Sequence, residues 1–497
     1  MTPTNPHHER RWLILAVLGI AQLMVVLDAT VVNIALPSAQ RALHFTNDNR
    51  QWIVTAYALA FGSLLLLGGR LSDLFGRKWT FIGGLTGFAL ASAVGGAAQS
   101  FDMLVAARAV QGAFGALLAP AALSLLTTTF TDVRERAKAF GVYGAIGGSG
   151  ASLGLLLGGV LTQTLDWRWT MFVNLIFAVV AAVGAVLLLT NQRPEQRPRL
   201  DIPGVLTVSG GLFALVYGLN NAQTTSWGSA TTVGFLAAAA VLLAAFVAIE
   251  RRVAHPLLPL RVVLDRDRGG AFAAIGIAAA AVFAVFMFLT YYLQQNLGFS
   301  PIANGLAFLP MTAAIMLSAT LASTRLLPRV GPRPLVVGGM AMGAIGMLYL
   351  TRLGVHSSYA TGVLPSLLVM GLGFGLIFAP SMATATLGVG EGDAGVASAM
   401  VNANQQVGGS IGVALLSTLA ASAASGFVGA ARPTAQLMAE ATVHGYTTAF
   451  AWSAGMFSLG VLVAAVMFRS RPKATNVETD ASSTQERPLR TLVEGAI

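Results

Sequence analysis

Polar residues punctuate this chain more than they alternate with apolar ones. Apolar runs of about 20 residues, the length that crosses a bilayer as a helix, recur from end to end. Short clusters of charge, Gly and Pro divide them. The pattern predicts spanning helices at 12–36, 51–71, 79–98, 103–127, 139–163, 169–190 and 203–221. It predicts seven more at 230–249, 270–292, 303–325, 334–352, 360–386, 395–420 and 445–468. The expectation is an all-α membrane protein with fourteen transmembrane helices. The segment 1–11 precedes the first span, and 469–497 is a polar tail expected to be disordered. The longest predicted cytoplasmic connection, 250–269, has room for a short interfacial helix.

Charge tests that count. Alternating loops assign 24 of the 30 Lys and Arg to one face and five to the other. Arg108 alone is left inside a span. Lys and Arg in short loops stay on the cytoplasmic side, so both termini are expected there, and a miscounted helix would scramble the asymmetry. Composition agrees: 10% of residues are charged and the mean hydropathy is +0.71, against about 25% charged in soluble domains. The net charge of +10 would suggest a nucleic-acid partner in a soluble chain. Here it reads as membrane orientation, and no nucleic acid is expected. No cysteine is present, so disulfide and thiol chemistry are excluded. Arg10 and Arg11 precede an apolar run too long for a signal peptide, which reads as an uncleaved first helix.

An internal repeat shows without any alignment. GRLSDLFGRKWTFIGG (69–84) matches TRLLPRVGPRPLVVGG (324–339) at Arg70/Arg325, Leu71/Leu326, Gly76/Gly331 and Lys78/Arg333, and at the terminal Gly pair. Two six-helix halves, 12–190 and 270–468, follow, with two helices at 203–249 inserted between them. Duplicated halves around a midplane site are a transporter pattern.

Asp28 stands out within LDATVVNIALP (27–37). An aspartate at the centre of a membrane helix costs about 2.5–3.5 kcal/mol on insertion scales. Counting from the outer ends, Asp28 and Arg108 lie about 12 Å and about 9 Å deep at 1.5 Å per residue. Intramembrane charges pair with one another or relay protons. Two readings stay open: a carboxylate that exchanges a proton beside a tuning cation, or a static ion pair. In GGSGASLGLLLGG (147–159), Gly150, Gly154 and Gly158 share one helix face, and small residues at that spacing let helices approach closely. The loop 69–78 offers Gly69, Arg70, Asp73, Gly76, Arg77 and Lys78 as a gating segment. Orientation explains its basic residues. Asp73, replaced by Pro328 in the repeat, needs a separate reason, such as capping a helix N-terminus.

Cavity candidates are Tyr57, Gln111, Tyr291 and Gln294, the stripe Met370, Phe374 and Phe378, and the amides Asn402, Gln405 and Gln406. Met and aromatic surfaces suit varied apolar ligands, but packing accounts for such a stripe as well. Unpaired amides in lipid are costly. Enzyme signals fail. GGSIG (408–412) lies inside an apolar run, not at a strand–turn–helix elbow, and no P-loop is present. His7, His8, His44, His255, His356 and His444 form no metal set. No cofactor or metal is expected.

In combination these residues resemble the major facilitator superfamily, and within it the fourteen-helix drug:proton antiporters of the EmrB/QacA type. LDATVVNIALP resembles that family's first-helix motif, which places its aspartate at Asp28. GRLSDLFGRK resembles the loop 2–3 motif at Gly69, Asp73, Gly76 and Arg77. LVAARAVQGAFGA (104–116) resembles the helix-4 motif at Arg108, Gln111 and Gly112, linked in the family to proton transfer. The 147–159 segment resembles the antiporter motif, and DWRWTMFVN (166–174) the loop 5–6 motif. Two family prolines are replaced, by Leu155 and Ile176. The acidic residue that some members carry in helix 10 is absent from 303–325. The resemblance implies the major facilitator fold and a proton-coupled exporter of amphipathic drugs or antibiotics, a functional monomer in a bacterial cytoplasmic membrane. Its partners would be protons, the lipid bilayer and a small amphipathic molecule. The alternatives are a dedicated exporter of one endogenous metabolite, such as a self-made antibiotic, lipid or siderophore, a non-transporting sensor of the same fold, and an uptake symporter.

Overall fold

The computed structural model describes residues 10–45, 52–190, 200–390, 393–429 and 434–469. The first-half helices are α1 (Arg11–Leu43), α2 (Trp52–Phe75), α3 (Arg77–Gly96), α4 (Phe101–Thr129), α5 (Val133–Thr164) and α6 (Trp169–Leu188). The inserted pair is α7 (Ile202–Thr224) and α8 (Ala230–Glu250). The second half comprises α9 (Arg266–Asn296), α10 (Ile302–Val330), α11 (Pro332–Leu350), α12 (Tyr359–Ala385), α13 (Ala394–Val428) and α14 (Ala435–Met467). Thirteen of these are long and apolar enough to cross a membrane. The other, α5, is equally continuous over 32 residues, and its stretch 139–163 carries no charged residue. The predicted tail from 470, like residues 1–9, lies outside the described residues.

The observed helices run past the predicted spans because hydropathy reads only the stretch that must sit in hydrocarbon. The first helix continues to Leu43, not to residue 36, and α13 extends to Val428. Side-chain caps set several starts: Ser100 accepts from Met103 N, Asp132 from Arg134 N and Glu135 N, and Ser229 from Thr232 N. Each satisfies helix-end donors that have no partner of their own. In the loop 250–269, Glu250 accepts from the backbone N–H of Leu257 and Leu258, folding the chain back before a short helix, Leu260–Leu264.

Packing follows the sequence repeat. Within the first half, α4 packs on α2 and α3, while α1 packs on α5 and α6. Within the second, α12 packs on α10 and α11, and α13 on α9 and α14. The halves meet where α2 crosses α13 and where α5 crosses α10 and α12, and α7 lies over α2 and α13. The matched glycines adopt one kind of backbone. Gly76 turns from α2 into α3 at φ 91°, and Gly331 turns into α11 at φ 76°. Both values lie in a region that side chains disfavour. Basic loops gather on one face, as the charge count requires. Arg11 of α1 pairs with Glu135 of α5 at 2.7 Å, and Lys78 donates to the carbonyls of Val186 and Leu189 at the end of α6. This is called the basic face below.

The glycine ladder determines how α5 meets α1. A Cβ at Gly150 would lie 2.5 Å from Val26, one at Gly154 would overlap the Thr30 hydroxyl, and one at Gly158 would lie 3.0 Å from the carbonyl of Val31. All three contacts flank Asp28. Leu155 leaves α5 unbroken where a proline would kink it. Gly154→Leu is therefore expected to destabilise the protein by about 1–3 kcal/mol, the usual cost of overpacking. A drop in the melting temperature of the detergent-solubilised protein, larger than that of Gly455→Leu at an open position, checks it.

Candidate functional site

A carboxylate taken out of water is tolerated only where charge and hydrogen bonds replace the solvent. Asp28 is 0% exposed and Arg108 is 1% exposed. They meet directly, with Arg108 Nη1 2.6 Å from Asp28 Oδ2. Two amides satisfy the other carboxylate oxygen: Gln111 Nε2 and Asn174 Nδ2 each donate to Asp28 Oδ1 at 2.7 Å. Both amides also donate to Ser92 Oγ, at 3.2 and 2.9 Å, and the Ser92 hydroxyl donates to the carbonyl of Met171 at 2.8 Å. The charge pair thus ties α1 to α4, α3 and α6.

Arg108 has further acceptors. Its Nη1 donates to Gln111 Oε1 at 2.7 Å and its Nε to the carbonyl of Ile53 at 3.3 Å. Its guanidinium carbon lies 4.4 Å from the centre of the Tyr57 ring, which in turn stacks on Phe61. Gly112 allows this, since a Cβ there would run into the carbonyl of Tyr57. The arginine therefore sits between a carboxylate and an aromatic face, both of which stabilise cations.

The predicted site residues divide in two. Tyr57 and Gln111 join the ion pair. Met370 and Phe374, expected on a cavity wall, are fully buried instead: Met370 fills the space beside Gly346 of α11, and Phe374 stacks on Phe457 of α14 at 5.9 Å. Packing accounts for both. Phe378 is half-buried at the edge of that cluster, and Tyr291 is exposed on α9. Gln294, Asn402, Gln405 and Gln406 are half-buried, with Asn402 donating to the carbonyl of Ser398 and Gln406 lying against Gly62. Ser92 and Asn174 escaped the sequence reading. A single serine in an apolar helix carries no pattern. Asn174 did stand in the DWRWTMFVN motif, where Arg168 anchors the chain by donating to the carbonyls of Gly96 and Ala98.

A second cluster lies on the basic face. Asp73, 5% exposed, accepts from the backbone N–H of Gly395 at 3.1 Å, in the first turn of α13. It thus caps a helix of the other half, where the N-terminus favours negative charge. Arg77 lies 4.0 Å from Asp73, and Gly69 backs directly onto Gly395 and Ala399. Arg70 is buried beside them. Arg136 adds a tie that the sequence did not suggest, donating to the Thr386 carbonyl at 2.7 Å and so linking α5 to α12.

A fold of fourteen long helices in two related halves, with charge buried in one of them, defines a polytopic secondary transporter. The description "Major Facilitator Superfamily" matches residues 18–413. The chain belongs to that family. It is 48% identical over 481 residues to the puromycin resistance protein of Streptomyces alboniger, covering 96% of this chain and 95% of that one. It is 38% identical over 409 residues to the cephamycin export protein of Amycolatopsis lactamdurans, covering 82% and 84%. Among solved structures, the human organic anion transporter MFSD10 shares the fold, with a TM-score of 0.62, 15% identity and coverage of 92% and 99%. The protein is a multi-pass transporter of the bacterial inner membrane, related to fourteen-helix antibiotic-resistance exporters of actinobacteria, and it handles small hydrophobic compounds. It is not an enzyme, and the described residues contain no cluster that could hold a metal.

The geometry makes Arg108 the more costly half of the pair to remove. Arg108→Met strands a buried carboxylate and is expected to cost about 3–5 kcal/mol. Adding Asp28→Leu to it removes the stranded charge. The double variant should melt above the single one; equal or lower melting of the double variant would show that the pair is not what stabilises this site.

Proposed function

We propose that this protein is a proton-coupled exporter dedicated to one antibiotic or a narrow chemical set. Asp28 is its proton carrier, and the basic face is cytoplasmic, with both termini there. The observation that carries the reading is the double set of partners on Arg108. When Asp28 takes a proton, the arginine keeps Gln111 Oε1, the Ile53 carbonyl and the Tyr57 ring. A static pair has no need of such a reserve. With it, neutralising the carboxylate leaves no orphaned cation, so the exchange is inexpensive enough to repeat. The driving force is about 2.3 kcal/mol per charge per 100 mV, plus any pH gradient.

The narrow substrate range rests on two relatives whose names each specify one antibiotic, puromycin and cephamycin, the former at 48% identity over nearly the full chain. The sequence alone favours a broad drug exporter, so range is what the test must read. The ties at Asp73 and Arg136 would close the cytoplasmic side while the other side is served. Alternating access then requires them to break and re-form as the halves rock.

In acid-loaded inside-out vesicles, puromycin is expected to release protons from the wild type and not from Asp28→Asn, read with a pH-sensitive dye. Response to puromycin alone among a panel supports the dedicated reading, and response to many lipophilic compounds restores the broad one. Proton release from Asp28→Asn at the wild-type rate would remove Asp28 as carrier. Asp73→Ala, which loses the bond to Gly395, is expected to bind puromycin but slow its export several-fold. An unchanged export rate would show that the tie does not gate.

A further inference from the structure

Two cavities open on the lipid side of the molecule near the basic face, the first of them where the halves meet. One, of about 340 Å³, is lined by Trp12 of α1, Lys138 and Val142 of α5, and Thr320 and Thr324 of α10. The other, of about 320 Å³, shares Trp12 and Val142 and continues along α1 past Leu15, Gly19, Ile20 and Leu23. Val142, Leu153 and Val160 on this flank of α5, and Met316 and Leu317 on α10, are exposed apolar side chains, as lipid contact requires.

We propose that this groove seats an anionic phospholipid of the basic-face leaflet, its phosphate on Lys138 and one acyl chain along α1. The polar mouth and the apolar run have the chemistry of one amphipathic molecule. Lys138 is exposed and forms no ion pair or hydrogen bond with any described residue. The acidic group nearest in sequence, Glu135, is already paired with Arg11. Trp12 marks the headgroup level, where indoles concentrate. From Trp12 to Leu23 the groove runs about 16 Å at 1.5 Å per residue, close to half the roughly 30 Å core that one leaflet's chains fill. Gly19 forms the floor of the groove, facing Ile146 across it. Because Lys138 belongs to one half and Thr320 and Thr324 to the other, a headgroup there bridges the halves. It adds to the ties at Asp73 and Arg136 and favours the state in which they are closed.

The test uses the full-length protein in phosphatidylcholine vesicles containing phosphatidylglycerol, with one or the other lipid brominated on an acyl chain. Trp12 emission is isolated as wild type minus Trp12→Phe. Brominated phosphatidylglycerol should quench Trp12 at lower mole fraction than brominated phosphatidylcholine. Lys138→Gln should reduce that preference about fivefold, equivalent to about 1 kcal/mol for one basic side chain at the surface, and Lys138→Arg should keep it. Gly19→Leu, which fills the groove, should weaken quenching by both lipids. Equal quenching by the two lipids in the wild type, or an unchanged preference in Lys138→Gln, overturns the headgroup assignment. Unchanged quenching in Gly19→Leu overturns the chain seat. Loss of quenching on adding puromycin would give the groove to the transported compound instead.

Discussion

The first half of this protein is organised around one charge pair that water cannot reach. Burying Asp28 and Arg108 is unfavourable in itself, and their mutual attraction repays the desolvation only if every remaining lone pair and proton finds a partner. The fold supplies most of those partners from five helices, Asn174 Oδ1 being the atom of the network left without one. α1 and α4 carry the charges, α3 and α6 supply Ser92 and Asn174, and α2 supplies the Ile53 carbonyl and the Tyr57 face. Close approach is the second requirement, because hydrogen bonds of 2.6–2.7 Å tolerate little separation between helices. The glycines of α5 and Gly112 of α4 meet it by removing the side chains that would hold backbones apart.

The two halves are alike in path but not in chemistry. The buried charged residues among those described are Asp28, Arg70, Asp73, Arg108, Asp201 and Glu250, all before α9. The interior of α9–α14 is Met and aromatic packing, with Phe374, Phe457, Met340 and Met347 fully enclosed. The π-helical turns of the described residues fall at Val285–Leu289, Tyr292–Asn296, Ala322–Leu326 and Tyr359–Val363, all in the second half. Such turns mark places where a helix departs from regular bonding, frequently near function. In the proposed cycle the first half carries the proton, and the irregular turns of the second half flank the path of the transported molecule.

What the sequence disclosed depended on whether a residue's role had a one-dimensional trace. Basic loops do, since their alternation follows the crossings, and so does a lone acid in an apolar run. Gly76 and Gly331 were legible as a repeat because both turns need the same rare backbone. Ser92 was not legible: its role exists only where three helices converge, and serine inside an apolar helix is ordinary. Asp73 showed that it needed a reason but not which one, because its partner is a backbone N–H 322 residues away. Met370 and Phe374 stayed ambiguous because an i, i+4 aromatic stripe looks the same whether it faces a cavity or a neighbouring helix.

One helix joins the two polar clusters. α2 contributes Ile53 and Tyr57 against Arg108 near one end and Asp73 against α13 near the other, with Tyr57 and Asp73 16 residues apart, or about 24 Å at the α-helical rise. It needs no chain of side chains to connect them, because a packed helix moves as a body. If a proton on Asp28 frees Arg108 from the carboxylate, the helix that still holds the cation is the same one that holds the cap on Gly395. That cap is a single hydrogen bond, worth about 0.5–3 kcal/mol according to the charge on Asp73, a range that includes the energy one charge gains in crossing 100 mV. A tie of that strength is firm enough to hold one state and, in the proposed cycle, weak enough to be broken once per proton.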